Sequence, residues 1–474
     1  MKRDRSRLSY LCLLTLCAPL ARAGELDLEV LAVHSGPRSV EVELEVAWKN
    51  AWRSERNHDA VWIVVRHGRA HLGLAQEGHR AWSPAEAEGS GAPIPLQVRP
   101  SRDGVGAWLV PGLPHRGDVR QRVLLALADP TARPALEQLR VHGVEMVHVP
   151  AGAYELGDEH PEARALGSFF AVGEDGAASG PYRVEDESAL PLGTDPGQLH
   201  YEPGEVPQYR GDARGPIPAA FPKGVRGFYV MKYELRQGAY ADFLNALPRE
   251  LRGERVHFRG ELEERESCSL GLVGGRWIAA APSRPANFLS WEDSLAWLDW
   301  MGLRPMTELE FEKAARGPSR PLTLDFPWGT DSREPLERLV QPLRDLAFAS
   351  AEDELTLTDA TRSQHGASYY WVMDLSGSLW ERVVSAGHPR GRAFEGSHGD
   401  GVLDGARATN ADWPRESEDG RAAPGIGYRG GAQYFGPEAD LTNPESRVAI
   451  RTFAAWEGAY AYKTYSARGV RTAE

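Results

Sequence analysis

Apolar residues recur at Trp291, Leu295 and Leu298, the i, i+4, i+7 spacing that lines one stripe of an amphipathic helix. Ser290 and Asp293 flank the start of that stripe with the spacing of a capping box, in which the hydroxyl accepts from a first-turn N–H and the carboxylate reaches back. A helix is therefore expected from about Trp291 to Met301, stopping at Gly302, because glycine best tolerates a left-handed C-terminal cap. Thr307 and Glu310 repeat the device. A second helix is expected over Glu308–Arg316, ended by Gly317-Pro318.

The first part of the chain has a different period. LDLEVLAV and SVEVELEVAW alternate apolar and polar residues, the period-2 pattern of half-buried strands. DAVWIVVRH, GVGAWLV and QRVLLALA are further strand candidates, and no long helix interrupts them. Residues 24–142 are thus expected to form a small all-β sandwich. Its most pointed segment runs from Trp48 to Arg53 and on through Asn57 to Trp62. It reads either as a binding surface with exposed Trp and Asp, or as tryptophans packed in a core with Asn and Asp making turns. Residues 156–222 are rich in Gly and Pro and poor in periodicity. They are expected to be a loop-rich insertion, with short strands at GSFFAV and YRVEDES. The charged excursion from His257 to Cys268 is expected to be a solvated loop.

A chain of 474 residues exceeds one ordinary core, so two domains are the natural expectation. The formal net charge of −13 argues against general nucleic-acid affinity, which needs a basic face. Lys2, Arg3, Arg5 and Arg7, the apolar run Leu8–Leu20 and the sequence Ala21-Arg22-Ala23 have the order of a secretory signal peptide over residues 1–23. The apolar run is too short to span a bilayer, and no later segment is apolar enough. The expected location is periplasmic or secreted; a lipoprotein anchored through Cys17 is the less favoured variant, because Leu16 precedes it. With the signal removed only Cys268 is left, and one thiol cannot close an intrachain disulfide.

Several words, in order, resemble one family. SWEDSLAWLDWMGLRPMTELEFEKAARGP, FPWG at Phe326–Gly329, MDLSGSLWE at Met373–Glu381, YRGGAQY at Tyr428–Tyr434 and ARGVR at Ala467–Arg471 look like the signature of the formylglycine-generating enzymes, or sulfatase-modifying factors. MVHVPAGAYELG at Met146–Gly157 and GFYVMKYELRQGAYADFLNAL at Gly227–Leu247 resemble the opening strand and the first strand–helix pair. The resemblance covers about residues 144–474. It implies an α+β fold of the C-type-lectin-like kind, preceded by the sandwich.

It also implies where chemistry should be sought. The family's oxidase activity uses a copper-binding cysteine pair shortly after the R-G-G-S strand, thiolates being soft ligands suited to Cu(I). Here the first cysteine would fall at about Phe435 and the second near Ala439 or Asp440, and the family serine is Ala432. No copper is expected. A second branch of the superfamily holds iron with a histidine triad; the one close pair here, His67 and His71 in RHGRAH, reads as two solvated histidines. The family's D-x-x-G-N-x-W-E segment wraps a structural calcium. Carried across, its ligands would be the side chains of Asp374 and Glu381 and the carbonyls of Gly377 and Leu379, with Ser378 replacing the usual Asn. Such a mix of carboxylate and carbonyl oxygen suits Ca²⁺. Arg429, Arg447, Arg451 and Arg471 fall at framework positions, with Glu234, Glu292 and Glu312 as candidate partners. Trp456, Tyr460, Tyr462 and Tyr465 stand where the enzymes have cleft residues. Trp456, Tyr460 and Tyr462, with Gln433, Tyr434 and Phe435, form the candidate ligand-binding set; the alternative for the aromatic run is a core strand.

Two functions follow from these observations. One is a binding or structural protein, not catalytic as a formylglycine-generating oxidase, that grips an extracytoplasmic protein, peptide or glycan. The other is a metal-dependent oxidoreductase of the same superfamily with a different metal site or substrate.

Overall fold

The computed structural model describes residues 26–83, 95–200, 211–257, 268–335, 358–432 and 444–474, apart from positions 213, 319, 322 and 334. The first nine strands are β1 (Leu26–Ser35), β2 (Val40–Arg53), β3 (Asp59–His67), β4 (Ala70–Leu72), β5 (Arg80–Trp82), β6 (Leu96–Pro100), β7 (Ala107–Pro111), β8 (His115–Ala126) and β9 (Leu139–Val149). The insertion adds the short strands β10 (Tyr154–Leu156), β11 (Phe170–Ala171), β12 (Tyr182–Val184) and β13 (Leu199–His200), with a one-turn helix α1 (Pro161–Ala165). Then follow β14 (Phe228–Met231), α2 (Gln237–Ala246), β15 (Leu270–Val273), β16 (Arg276–Ala279), α3 (Trp291–Trp300), β17 (Arg304–Pro305), α4 (Glu308–Arg316), β18 (Trp380–Val384), β19 (Ile426–Arg429), β20 (Tyr465–Ser466) and β21 (Gly469–Thr472). The chain is mostly β with few helices, compatible with an α+β class.

Two large sheets organise it. One has the order β1-β2-β8-β5; the other runs β17-β21-β14-β9-β3-β7-β6, with β4 added to β3. Val42, Leu44 and Val46 of β2, Val61, Ile63 and Val65 of β3, and Val123 and Leu125 of β8 pool into one apolar layer between them. The sequence patterns follow from what covers each face. β2 alternates because its other side is only half-covered. β3 is a continuous apolar run because both its faces are buried, as expected for a strand covered on both sides. Its second face, through Ala60, Trp62 and Val64, joins the main core with Met146, Met301 and Leu303.

β9 runs straight through residues 142–144. It pairs with β3 from Asp59↔Val147 to His67↔Leu139, and with β14 from Phe228↔Val149 to Met231↔Met146. One hydrogen-bonded sheet therefore draws strands from both sides of that point.

Both capping boxes form, Ser290 with Asp293 and Thr307 with Glu310. α3 spans Trp291–Trp300 with Met301 as C-cap, and Gly302 and Gly317 adopt positive φ of 67° and 70° where the two helices end. The single buried stripe expected for α3 is a correction: all ten of its residues are buried. Its polar side chains are satisfied from afar. Asp299 accepts from the backbone N–H of Asp400 at 3.0 Å and of Thr409 at 2.7 Å. Asp293 pairs with Arg255 at 3.2 Å and His257 at 2.9 Å.

Trp48, Trp52 and Trp62 are 1%, 2% and 0% exposed, so the segment around them is core and not a binding surface. Asn57 donates to the carbonyls of His148 and Tyr370, both at 3.0 Å. Asp59 is fully buried against Lys232 at 3.3 Å, and burial pushes its carboxyl up to about 7 against that pull.

Candidate functional site

β18 enters the core after a tight turn, Asp374–Leu379. Asp374 sits at φ 59° and Gly377 at φ 80°, the left-handed region that glycine occupies without strain. The Gly377 N–H donates to the Gly430 carbonyl at 3.0 Å, tying the turn to the end of β19. Three carboxylates gather here, Glu234, Asp374 and Glu381, and they are 1%, 5% and 1% exposed. Glu234 accepts from the Ser378 hydroxyl at 2.7 Å and from the Leu379 N–H at 3.1 Å. Glu381 Oε1 accepts from Arg468 at 2.6 and 2.8 Å. Arg468 also donates to the carbonyls of Met231 and Met373. Burial, then the neighbouring Glu381, drives Glu234 well above the usual carboxylate range, opposed by Arg468. Burial likewise raises Glu381 against the pull of Arg468.

These three acids lie around one guanidinium, and among the described residues Glu381 Oε2 has no hydrogen-bond partner. Among the described residues no group of three or more His, Cys, Asp and Glu is arranged to hold a metal ion. A cation here would therefore depend on main-chain carbonyls as well as on Asp374 and Glu381. A carboxylate–carbonyl set of that kind suits a hard divalent ion, and such an ion would favour the ionised form of the buried acids. The residues present fit calcium in donor type.

The aromatic run lies on the far side of β18. Tyr460 and Tyr462 are 43% and 42% exposed. Their rings lie 5.7 and 5.5 Å from that of Tyr465, which in turn is 4.8 Å from Tyr428. Arg382 reaches up from β18 beneath them. It stacks on Tyr465 at 4.7 Å, and donates to the Tyr428 hydroxyl at 3.0 Å and to the Tyr460 carbonyl at 2.7 Å. Trp380 links Tyr428 to Phe453 by edge contacts at 6.1 and 5.2 Å, and Phe453 meets Trp456 edge-on at 6.5 Å. Of this run only Tyr465 lies in a strand, β20, so the alternative of one core strand does not describe it. It is a part-exposed aromatic ridge, held by the Trp291 N–H donating to the Ala459 carbonyl at 2.8 Å and the Phe288 N–H to the Tyr462 carbonyl at 3.0 Å. Trp380, Tyr428, Phe453 and Arg382 join it from outside the aromatic run; the Trp-Glu word at 380–381 and the strand tyrosine at 428 are their traces in the sequence. Gln433, Tyr434 and Phe435 lie outside the described residues, as do the positions of the family's cysteines.

The framework arginines pair differently from the expected set. Arg429 meets Glu312 at 2.8 Å, as expected, but Arg451 pairs with Glu308 at 2.7 Å and Arg471 with Asp103. Arg447 stacks on Phe326 at 4.6 Å and donates to the Leu324 carbonyl. Glu292 faces Arg415 at 3.6 Å, and Glu234 binds the 378–379 turn. His67 and His71 are not a solvated pair. His67 accepts from the Ala135 N–H at 3.1 Å, and burial lowers His71 to about 4. Cys268 is buried, and burial pushes its thiol up to about 11, far from the reactive thiolate state.

The model of the family described as "Sulfatase-modifying factor enzyme 1-like domain" matches residues 185–432, more than half of the chain. Among curated proteins, the formylglycine-generating enzyme of Bos taurus is 25% identical over 252 residues, covering 42% of this chain and 66% of the relative. That of Mus musculus is 27% identical over 178 residues, 32% of this chain and 46% of the relative. That of Thermomonospora curvata is 31% identical over 116 residues, 23% and 35% respectively. The chain spans less than two thirds of the length of each of these relatives. By the match across residues 185–432, the chain belongs to the sulfatase-modifying factor family, with a formylglycine-generating-enzyme-like domain.

Proposed function

We propose that this protein does not perform formylglycine-generating oxidation and acts outside the cytoplasm as a binding or structural module. It grips a protein, peptide or glycan with the ridge Trp456–Tyr460–Tyr462, together with Gln433, Tyr434 and Phe435. The observation that carries the reading is in the sequence: no cysteine follows Cys268, so the pair of soft ligands on which the oxidase depends is missing. Exposed tyrosines over a buried guanidinium supply contact area at small entropic cost. The same reading assigns residues 144–474 to the C-type-lectin-like class and residues 24–142 to an accessory β-sandwich, behind a signal peptide at 1–23. Among the described residues no helix is long and apolar enough to cross a membrane.

The test is incubation with a cysteine-bearing sulfatase peptide, copper and oxygen. The expected result is no formylglycine and no oxygen uptake; copper-dependent conversion would overturn the proposal. Metal analysis of the purified protein separates the two function classes. Calcium alone supports the binding reading, and stoichiometric iron or copper the oxidoreductase one.

Calcium is the proposed structural ion, held by Asp374, Glu381 and the carbonyls of Gly377 and Leu379. At a free concentration of 100 times its Kd, such an ion stabilises the fold by about 2.7 kcal/mol. EGTA should lower the melting temperature of the wild type. Glu381→Gln should start lower and respond to EGTA much less. A wild-type melting curve indifferent to EGTA would remove calcium from the account.

A further inference from the structure

We propose that the cavity between Arg56, Lys313, Tyr369 and Tyr370 is a binding site for a compact tetrahedral oxyanion, phosphate or sulfate, either free or as the end of a monoester. The cavity is about 220 Å³ and is also lined by Pro150–Ala153 and Pro318. That is below the roughly 300–1,000 Å³ of sites for drug-sized ligands, so it suits one small group and not a nucleotide. Its lining contains two cations and no carboxylate, in a chain whose net charge is −13. The cavity's charge thus opposes that of the whole molecule.

Lys313 is the less ordinary of the two cations. It is 1% exposed, and its ammonium donates to the Pro150 carbonyl at 2.8 Å and to that of Gly224. An ammonium has three donors, and among the described residues no carboxylate lies within ion-pair distance of it. A buried charge whose contacts are carbonyls is costly, and burial lowers its pKa to about 8 against the pull of Glu187 and Glu310. It is still mostly protonated at neutral pH, and an anion in the cavity would supply a counter-charge at contact distance.

Arg56 lies 4.3 Å over the Tyr369 ring and donates to the Tyr369 carbonyl at 3.2 Å. Its nearest acid, the 55% exposed Asp359, is 3.9 Å away, a pairing worth little in water. Tyr370 is 4% exposed, and neither its hydroxyl nor that of Tyr369 has a hydrogen-bond partner among the described residues. Four donor groups of one small cavity match the four oxygens of a tetrahedral anion better than the two of a carboxylate, and a guanidinium fork suits phosphate geometry. Lys313, Tyr369 and Tyr370 fall within the family match at residues 185–432 and Arg56 falls outside it. The site is therefore completed by the β2–β3 turn and by Pro150–Ala153, both outside the family match.

The experiment is calorimetric titration of the full chain with sodium phosphate and with sodium sulfate, against sodium chloride at matched ionic strength. Phenyl phosphate serves as the monoester arm. Arg56→Ala and Tyr370→Phe are compared with the exposed control Arg320→Ala, and circular dichroism checks the fold of each. Saturable binding is expected for the tetrahedral anions, weakened at least tenfold by Arg56→Ala and measurably by Tyr370→Phe, and unchanged in the control. Tighter binding of phenyl phosphate than of phosphate would assign the site to monoesters, the reverse to the free ion. No saturable binding beyond chloride, or equal affinity in folded Arg56→Ala and Arg320→Ala, would overturn the proposal.

Discussion

Replacing Glu308 with glutamine should lower the unfolding free energy by about 3–5 kcal/mol. Glu308 follows the Thr307 cap at the start of α4, and its side chain is fully buried. One oxygen accepts both Arg451 bonds, at 2.8 and 2.7 Å, and lies 3.5 Å from Arg429. The other accepts the Ala386 N–H at 2.8 Å. Glutamine keeps the volume and removes the charge. Arg429 would still have Glu312. Arg451 would keep the Gly167 carbonyl at 2.7 Å and the Phe169 ring at 3.7 Å but lose the carboxylate that accepts two of its bonds. The large cost comes from weakening the compensation of a fully buried guanidinium, more than from the net worth of the pair. Glu159→Gln is the contrast. Its partner Arg320 lies 3.5 Å away with both side chains more than half exposed, and the expected change is below about 1 kcal/mol. Urea unfolding of both variants measures the difference. A loss at Glu308 no larger than at Glu159 would mean that the Glu308 charge is not needed to hold Arg451 in the core.

The same two kinds of interaction explain what the sequence discloses. The capping boxes of α3 and α4 are legible because every atom involved lies within four residues, and the αL glycines that end those helices are equally local. The strands β2 and β3 are legible as strands, since apolar period reports whether one face or two are covered. Pairings between remote residues leave no such trace. Nothing in the local sequence joins Arg471 to Asp103 or Asp299 to the 400–409 backbone, so α3 reads as amphipathic although it is buried all round. The turn at 374–381 is visible as a word, but its third acid, Glu234, belongs to another segment, where it reads as a candidate partner for an arginine. The aromatic ridge is similarly half legible. Its tyrosines cluster in sequence, while the arginine beneath them comes from β18. β9 is the clearest case, because a strand that hydrogen-bonds to β3 on one side and β14 on the other gives no sign in its own residues that it joins two regions of different texture.

That junction can be tested at Trp62. Its indole is fully buried, donates from Nε1 to the Met301 carbonyl at the end of α3 at 2.7 Å, and packs 4.6 Å from Trp108. Arg471 of β21 lies 4.4 Å over the ring. One side chain of an N-terminal strand thus touches the end of α3, within the family match, and β21 near the end of the chain. Trp62→Ala should cost about 3–5 kcal/mol through the cavity it leaves. The abandoned Met301 carbonyl, with its lost hydrogen bond, adds about 1 kcal/mol. Trp62→Phe, which refills part of the space without the N–H, should recover roughly half, by the area it restores. Because β9 hydrogen-bonds to both β3 and β14, the loss should appear as one cooperative transition moved to lower urea, with intrinsic fluorescence and far-UV circular dichroism coincident. Were residues 26–142 an independent unit, the variant would instead unfold in two steps, the earlier one carrying the β1–β8 signal alone. A wild-type-like second step would then show that the shared sheet does not couple the two regions.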